Sequence, residues 1–330
     1  MHAPRQSVFG KARGSRPSPG VDGPFGVMFH HFRDAGRHPA GQGAISADQL
    51  VSILDLLEDR HVLSAHEWLW RAERGRLRAQ DRCLTFDDNL RCQFDVAGPV
   101  LAERGLTAFW FVSTRVLDGD IIPLEAYRYF RSTRFPDADS FYAAFDVMLA
   151  AEPDAAALDA AARAQPADYL REFPFYSDAD RRFRFVRDRV LGAVRYDAIM
   201  QRMIELGGAS LAELARGLWM GAAELRALHE AGHVIGLHSH THPTQMARLS
   251  RAQQAHEYSQ NHARLQHLLG VPPVAMAHPC NSYNADTLDV LRALSVRVGF
   301  RANAELASYS ALELPRLDHV LLLSEDRACA

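Results

Sequence analysis

From Gly26 onward, short apolar runs alternate with longer amphipathic stretches, the pattern of strand and helix units around a mostly parallel sheet or barrel. The apolar runs predict strands at "GVMFH" (26–30), "CLTF" (83–86), "TAFWFV" (107–112), "HVIGL" (233–237), "VAMA" (274–277), "VRVGF" (296–300) and "VLLL" (320–323). Amphipathic periodicity predicts helices over 46–60, 95–105, 221–232, 250–270 and 284–294. Ser46 and Asn284 stand where N-caps belong, and Gly105, Gly232 and Gly270 where helices should stop.

One segment breaks the alternation. From about residue 123 to about residue 217 the chain turns Ala-, Arg- and aromatic-rich, with "DAAALDAAARAQPADY" and "RRFRFVRDRV" and no clear strand. A structureless loop of that length is uneconomical, so the segment reads as a helical insertion capping one face of the core. Residues 1–25, rich in Gly, Pro, Ser and Arg, read as a flexible lead-in to a single domain over 26–330.

With 330 residues and 48% hydrophobic composition the chain can bury a large core. A formal net charge of -3 supplies no general attraction to nucleic acid or anionic lipid. Cys83, Cys92, Cys280 and Cys329 form no CxxC pair, which argues against a thiolate zinc knuckle or a disulfide framework. No stretch resembles a secretory signal or a membrane span, and a cytoplasmic location is expected.

Three stretches carry chemistry. In "LTFDDN" (84–89) two adjacent carboxylates end an apolar strand. Desolvating both costs several kcal/mol each unless a cation compensates, so one of them beside a divalent metal and the other serving as a base accounts for the pair. Solvated loop acids or helix caps are the plainer alternative. In "HSHTHP" (238–243), His238 and His242 are spaced to meet one ion if the segment makes a helical turn. His240 lies between them and would be a further hydrogen-bond donor, a substrate contact or inert. Both stretches follow predicted strands, so both should emerge at the carboxyl ends, where α/β folds assemble their sites. One Asp and two His make a three-ligand site with a coordination position left open, the mark of a catalytic metal. In "AHPCNSYN" (277–284) a proline-fixed turn leads into a helix, and a backbone N–H at Cys280 or nearby can face a developing oxyanion.

These residues resemble the polysaccharide deacetylases, carbohydrate esterase family 4, also known as the NodB homology domain. "TFDD" (85–88) matches the first motif of that family, "HSHTHP" its His-Ser/Thr-x-x-His-Pro motif, and "HPCNSYN" is similar to its aromatic-Pro-Tyr-Gly-x-Tyr turn. "VMFHHF" near the start and "LPRLDH" near the end resemble flanking segments. The resemblance implies an α/β fold, a distorted (β/α)7-type barrel. It implies Asp87 as catalytic base, Asp88, His238 and His242 as ligands of Zn2+ or another divalent transition metal, and the Cys280 amide as part of an oxyanion hole. His319 is its nearest match to the proton donor, Arg316 would orient the base or bind substrate, and His240 and Tyr283 are further substrate contacts. Asn89 and Asn281 stand where the family has glycine, and Asn is among the few residues that tolerate left-handed backbone, so both turns should keep their shape.

The implied reaction is hydrolysis of an N-acyl group, acetyl or formyl, from an amino sugar. The expected partner is a small N-acylated sugar on a nucleotide- or lipid-linked precursor in surface-polysaccharide assembly. Five arginines interleaved with aromatics in "RRFRFVRDRV" could grip a pyrophosphate and stack a base, or form one solvated helix face. The alternatives are a metal-dependent hydrolase of a non-sugar amide and a catalytically silent carbohydrate- or nucleotide-binding protein on the same scaffold.

Overall fold

The computed structural model describes residues 23–327 apart from 42, 58–60, 174 and 305–309. Most of the expected N-terminal lead-in lies outside the described residues, and the first strand already begins at Phe25. Eight strands form one parallel sheet: β1 Phe25–Phe29, β2 His61–Val62, β3 Asp81–Phe86, β4 Phe109–Val112, β5 Val234–Leu237, β6 Ala275–Ala277, β7 Val298–Phe300 and β8 Arg316–Asp318. Seven of them run in the order β7-β6-β5-β4-β3-β1-β8, and β2 pairs with β3 off this path. Beyond the two ends of that path, Phe300 bridges Leu314, the Leu314 amide donates to Gly299 O (2.8 Å) and the Arg316 amide to Asn303 O (3.1 Å). The sheet therefore nearly closes on itself as a distorted seven-stranded barrel wrapped by helices.

Alternation along the strands sorts side chains into two sets. Phe25, Val27 and Phe29 of β1, Leu84 and Phe86 of β3, Trp110 and Val112 of β4, and Ile235 and Leu237 of β5 pack outward against the helices. Cys83, Phe109, Phe111, Val234, Ala275, Ala277, Val298 and Phe300 point inward and share a second core with Trp68. The bulk of Phe111 leaves no room on the neighbouring strand. A Cβ at Gly236 would stand 2.7 Å from both the Phe111 ring and Ala275 O. The inward set continues upward through Asp87 and His238, each an even number of residues after inward Cys83 and Val234, and through Arg316, which lies over the inward Phe111 ring at 5.8 Å. Register does the rest: Phe29 pairs with Phe86, Val112 with Leu237, Leu237 with Met276 and Ala277 with Phe300, so the carboxyl ends of the strands reach one rim.

Between β4 and β5 the chain runs through helices Pro123–Arg134, Ala138–Ala150, Ala155–Arg163, Asp178–Phe185, Gly192–Leu206 and Leu211–Ala215. They bury their own apolar cluster around Phe130, Phe141, Phe145, Phe183, Met200 and Met203. Helix Asp178–Phe185 passes into a wide π-type stretch, Val186–Leu191, before Gly192–Leu206.

Ser46 and Asn284 cap their helices through side-chain oxygens, and Gly105, Gly232 and Gly270 take left-handed backbone as expected. Three local expectations change. "VLLL" is part of helix His319–Arg327 and the last strand is the preceding Arg316–Asp318. Four apolar residues cannot distinguish strand from buried helix, and Asp318 starts this helix by accepting the Val320 amide at 3.0 Å. β2 and helix Ala65–Glu73 were not anticipated; the latter carries Trp68, which stacks on Phe300.

Candidate active site

Asp87 leaves β3 pointing into the barrel, where Arg316 meets it with two parallel bonds, Nη1 to Oδ1 at 2.6 Å and Nη2 to Oδ2 at 2.8 Å. Arg316 is 0% exposed and also donates Nε to Arg301 O at 2.6 Å. Burial alone would raise the Asp87 carboxyl, but the Arg316 guanidinium together with His238 and His30 outweighs it and holds the group below its ordinary value. Asp87 is therefore a carboxylate with one fixed orientation. Arg316, expected as a substrate contact in the alternative to orienting the base, lies beneath Asp87 and does not reach the cleft lining. Its position corrects that expectation.

Asp88 turns away from its neighbour through a left-handed backbone, φ +73°. Its Oδ1 lies 3.4 Å from His238 Nε2 and 3.2 Å from His242 Nε2, and the ligand atoms of the three residues lie within 4.8 Å of one another. Tetrahedral ligands about 2.0–2.1 Å from a zinc ion stand about 3.3 Å from each other, so these spacings suit one shared cation. His238 Nδ1 donates to Ala277 O at 2.9 Å, which leaves the Nε2 lone pair facing Asp88. The donor set of one carboxylate and two imidazoles fits zinc or a neighbouring divalent metal.

The histidine segment is not a helical turn. Ser239 (φ +62°) and His242 (φ +57°) are left-handed, and the buried Glu257 carboxylate ties the loop down. It accepts the amides of His240 (3.0 Å) and Thr241 (2.8 Å) and the Thr241 hydroxyl (2.7 Å). Asn261, one turn further along helix Arg251–Leu269, accepts the His238 amide at 3.0 Å. His240 Nδ1 rests 3.0 Å from Thr114 Oγ1, and the residue is outside the cleft lining, so it braces the loop and is not placed as a substrate contact.

The third stretch forms a tight turn with Cys280 at φ +50° and Asn281 at φ +54°. Asn89, at φ +42°, likewise keeps the left-handed turn expected of it. Of eight non-glycine residues with positive φ among the described residues, six lie in the three motif loops and a seventh, Leu170, lines the same cleft. Such backbone costs of order 1–3 kcal/mol per residue, and its concentration here marks a site held in place by its surroundings. Cys280 is exposed and Tyr283 lines the cleft, with its hydroxyl donating to Glu313 at 3.0 Å and its ring stacked on His278.

His319 is misplaced for proton transfer. Its ring nitrogens lie 3.2 Å from Met28 O and 3.1 Å from Gly43 O, its ring stacks on Phe29, and it does not line the cleft. His30, at the carboxyl end of β1, does line it, with Nε2 3.8 Å from Asp87 Oδ2 and its side chain 27% exposed. The signal for it was in "VMFHHF", a histidine directly after a strand.

The inserted helices complete the cleft, a cavity of about 440 Å³. Arg128 Nη1 is 2.5 Å from Glu125 and 3.5 Å from Asp88 Oδ2, and Glu125 also accepts His31 Nε2 at 2.9 Å. Tyr169, Phe173, Phe175 and Tyr176 line one wall. Arg187, in the π-type stretch, is clamped to Asp188 by bonds of 2.8 and 2.7 Å. Arg184 lies over the Tyr176 ring at 4.0 Å, and burial together with repulsion from Arg187 and Arg128 lowers its guanidinium from the ordinary value. The i,i+3 pair of Glu125 and Arg128 looks like any helix-surface ion pair in the sequence, and only the contacts to Asp88 and His31 tie it to the cleft.

Residues 202–299 match the family model described as polysaccharide deacetylase. No curated protein matches the chain in sequence. Among solved structures, IcaB from Ammonifex degensii superposes with a TM-score of 0.54 at 15% identity, covering 90% of this chain and 91% of that one. A de-N-acetylase from Aggregatibacter actinomycetemcomitans gives 0.52 at 13% identity over 90% and 95%. The Streptococcus pyogenes deacetylase PplD, in complex with acetate, gives 0.51 at 16% identity over 92% and 98%. At these identities the superpositions speak for the fold. The resemblance to the polysaccharide deacetylases therefore holds, through the family segment at residues 202–299 and through the barrel fold of the chain.

Proposed function

We propose that this protein is a metal-dependent N-deacylase that removes an acetyl or formyl group from an amino sugar carried on a nucleotide- or lipid-linked precursor in the cytosol. What carries the reading is the convergence of Asp88, His238 and His242 beside an Asp87 locked by a buried arginine. The names of the similar solved structures, a deacetylase and a de-N-acetylase, support it. Free thiols at Cys83, Cys92 and Cys280 support a reducing compartment.

A divalent cation held by Asp88, His238 and His242 would acidify a water and polarise the acyl carbonyl. Asp87 is the chain's base for the attacking water, and Arg316 keeps both its oxygens charged and aimed. The Cys280 amide, on its left-handed turn, is the donor for the oxygen that gains charge. His30 delivers a proton to the departing amine nitrogen as the carbon–nitrogen bond breaks, so that amide and water become amine and carboxylic acid. The aromatic wall from the insertion covers the sugar and excludes bulk water.

Elemental analysis of the purified protein, combined with assay of acetate or formate release from N-acylated nucleotide sugars, tests the proposal. A bound divalent metal with acid release is the expected result. Metal with cleavage of non-sugar amides alone would establish the hydrolase alternative, and no metal with no turnover would establish the binding protein.

A further inference from the structure

We propose that the cleft contains a phosphoryl-binding subsite on the inserted helices, with Arg184 as the residue that recognises the phosphoryl group of the substrate. The inference rests on the N-deacylase reading of the same cleft and specifies how its sugar is carried.

The charges lining the cleft do not balance. Among the cleft carboxylates, Asp87 is held by Arg316, Asp88 faces His238, His242 and Arg128, and Asp188 is held by Arg187. Asp318 is 3.3 Å from His319 and accepts the Val320 amide. Glu172 is exposed. Arg184, Arg189 and Arg248 also line the cleft, and among the described residues none of the three has a carboxylate within ion-pair distance. Arg189 and Arg248 are exposed and solvated, whereas Arg184 is half-buried. A half-buried guanidinium with two other guanidiniums as neighbours is costly unless an anion joins it. An uncharged sugar would not supply that anion, and a phosphate monoester or diphosphate would.

Geometry favours the same occupant. The Arg184 guanidinium is stacked at 4.0 Å on Tyr176, which fixes the plane of its donor fork. Such a fork matches two phosphoryl oxygens. Tyr176 in turn packs at 4.7 Å against Phe175, so the subsite adjoins an aromatic surface suited to a sugar or a base. Arg187 and Arg189 stand on the π-type stretch, a helix irregularity that recurs at functional sites.

The test compares glucosamine 1-phosphate with glucosamine, neither of which can be deacylated, as ligands of the metal-loaded wild type and of Arg184→Gln, by calorimetry. The phosphate should tighten binding by about tenfold or more in the wild type, and Arg184→Gln should remove most of that advantage. Arg184→Lys should restore part of it, since charge is kept and the planar fork is lost. Equal binding of the two sugars by the wild type, or an undiminished phosphate advantage in Arg184→Gln, overturns the subsite. A phosphate advantage that depends on Arg184 in a protein that hydrolyses no N-acyl sugar would sustain the subsite and refute the deacylase reading. Activity on a UDP-linked N-acetylhexosamine against its short-chain isoprenyl-phosphate counterpart then identifies the carrier, with an Arg184-dependent preference for either over the free sugar supporting the subsite and no preference for either overturning it.

Discussion

Arg316 and Asp87 face each other as fork and carboxylate inside the barrel, at 2.6 and 2.8 Å, with the arginine 0% exposed. The pair spans β8 and the end of β3, so the proposed base is positioned by a strand 229 residues away in the chain. Arg316→Met should break the pair and leave a buried carboxylate unpaired, at a cost of about 3–5 kcal/mol. The sign of the pH effect follows from the same contact. Asp87 now sits below its ordinary 3.8, and without Arg316 burial pushes it up, so the acid limb of kcat/KM should move to higher pH. An acid limb unmoved in a folded Arg316→Met protein would remove Arg316 from the positioning of the base. The stabilising contribution of the pair is present above the unfolded carboxyl value and is lost as pH falls through the folded one.

The proposed base and the proposed ligands should separate cleanly by substitution. Asp87→Asn is expected to keep the metal and lose nearly all turnover, on the order of 10²–10⁴-fold for a removed general base. His238→Ala is expected to lose the metal itself, read by elemental analysis after dialysis. Equal metal loss in both variants would mean that the roles of Asp87 and Asp88 are exchanged.

Glu257 touches no ligand atom yet holds the loop that carries His242. Glu257→Ala should weaken metal affinity by about 10–100-fold, the usual effect of losing a group that orients ligands. Competition with a chromogenic chelator measures it, and unchanged affinity would show that the left-handed turn is set without the carboxylate.

His30 replaces His319 as the proton donor in this scheme, and leaving-group chemistry tests it. His30→Asn should slow amide cleavage by about 10²-fold or more while barely affecting an activated phenyl ester, whose leaving group departs without a proton. Equal slowing of both substrates would assign His30 to binding or to the support of Asp87.

Inside the barrel, Gly236 faces Phe111 and the Ala275 carbonyl with no space for a methyl group. Gly236→Ala should destabilise by about 1–3 kcal/mol through overpacking, seen as a lower urea midpoint with an unchanged slope. A wild-type midpoint would show that β5 and β6 can shift apart.

Much of this fold was legible because short continuous apolar runs, several ending in chemistry-bearing residues, recur along the chain between amphipathic stretches. β1, β3, β4, β5, β6 and β7 all lie where those runs placed them. The convergence of Asp88, His238 and His242 was legible for the same reason, since Asp88 lies two residues beyond the end of β3 and His238 directly follows β5. "VLLL" was misread because a short apolar run has no period of its own. The contacts of Arg128 with Asp88 and of Glu257 with the His240 and Thr241 amides were not assigned, since folding brings those partners together, and His319 was favoured by its order in the chain although its ring is spent on backbone carbonyls. The expected helical turn at His238–His242 failed because two left-handed residues achieve the same convergence by a different path.

The contact from Arg128 to Asp88 joins an inserted helix to a proposed ligand of the cation. On the proposed N-deacylase reading, selectivity and metal retention are mechanically linked: any remodelling of helix Pro123–Arg134 to admit a different sugar is transmitted to the Asp88 carboxylate. A lineage of such enzymes can exchange its roof for a new substrate only by also retuning the charge at its heart.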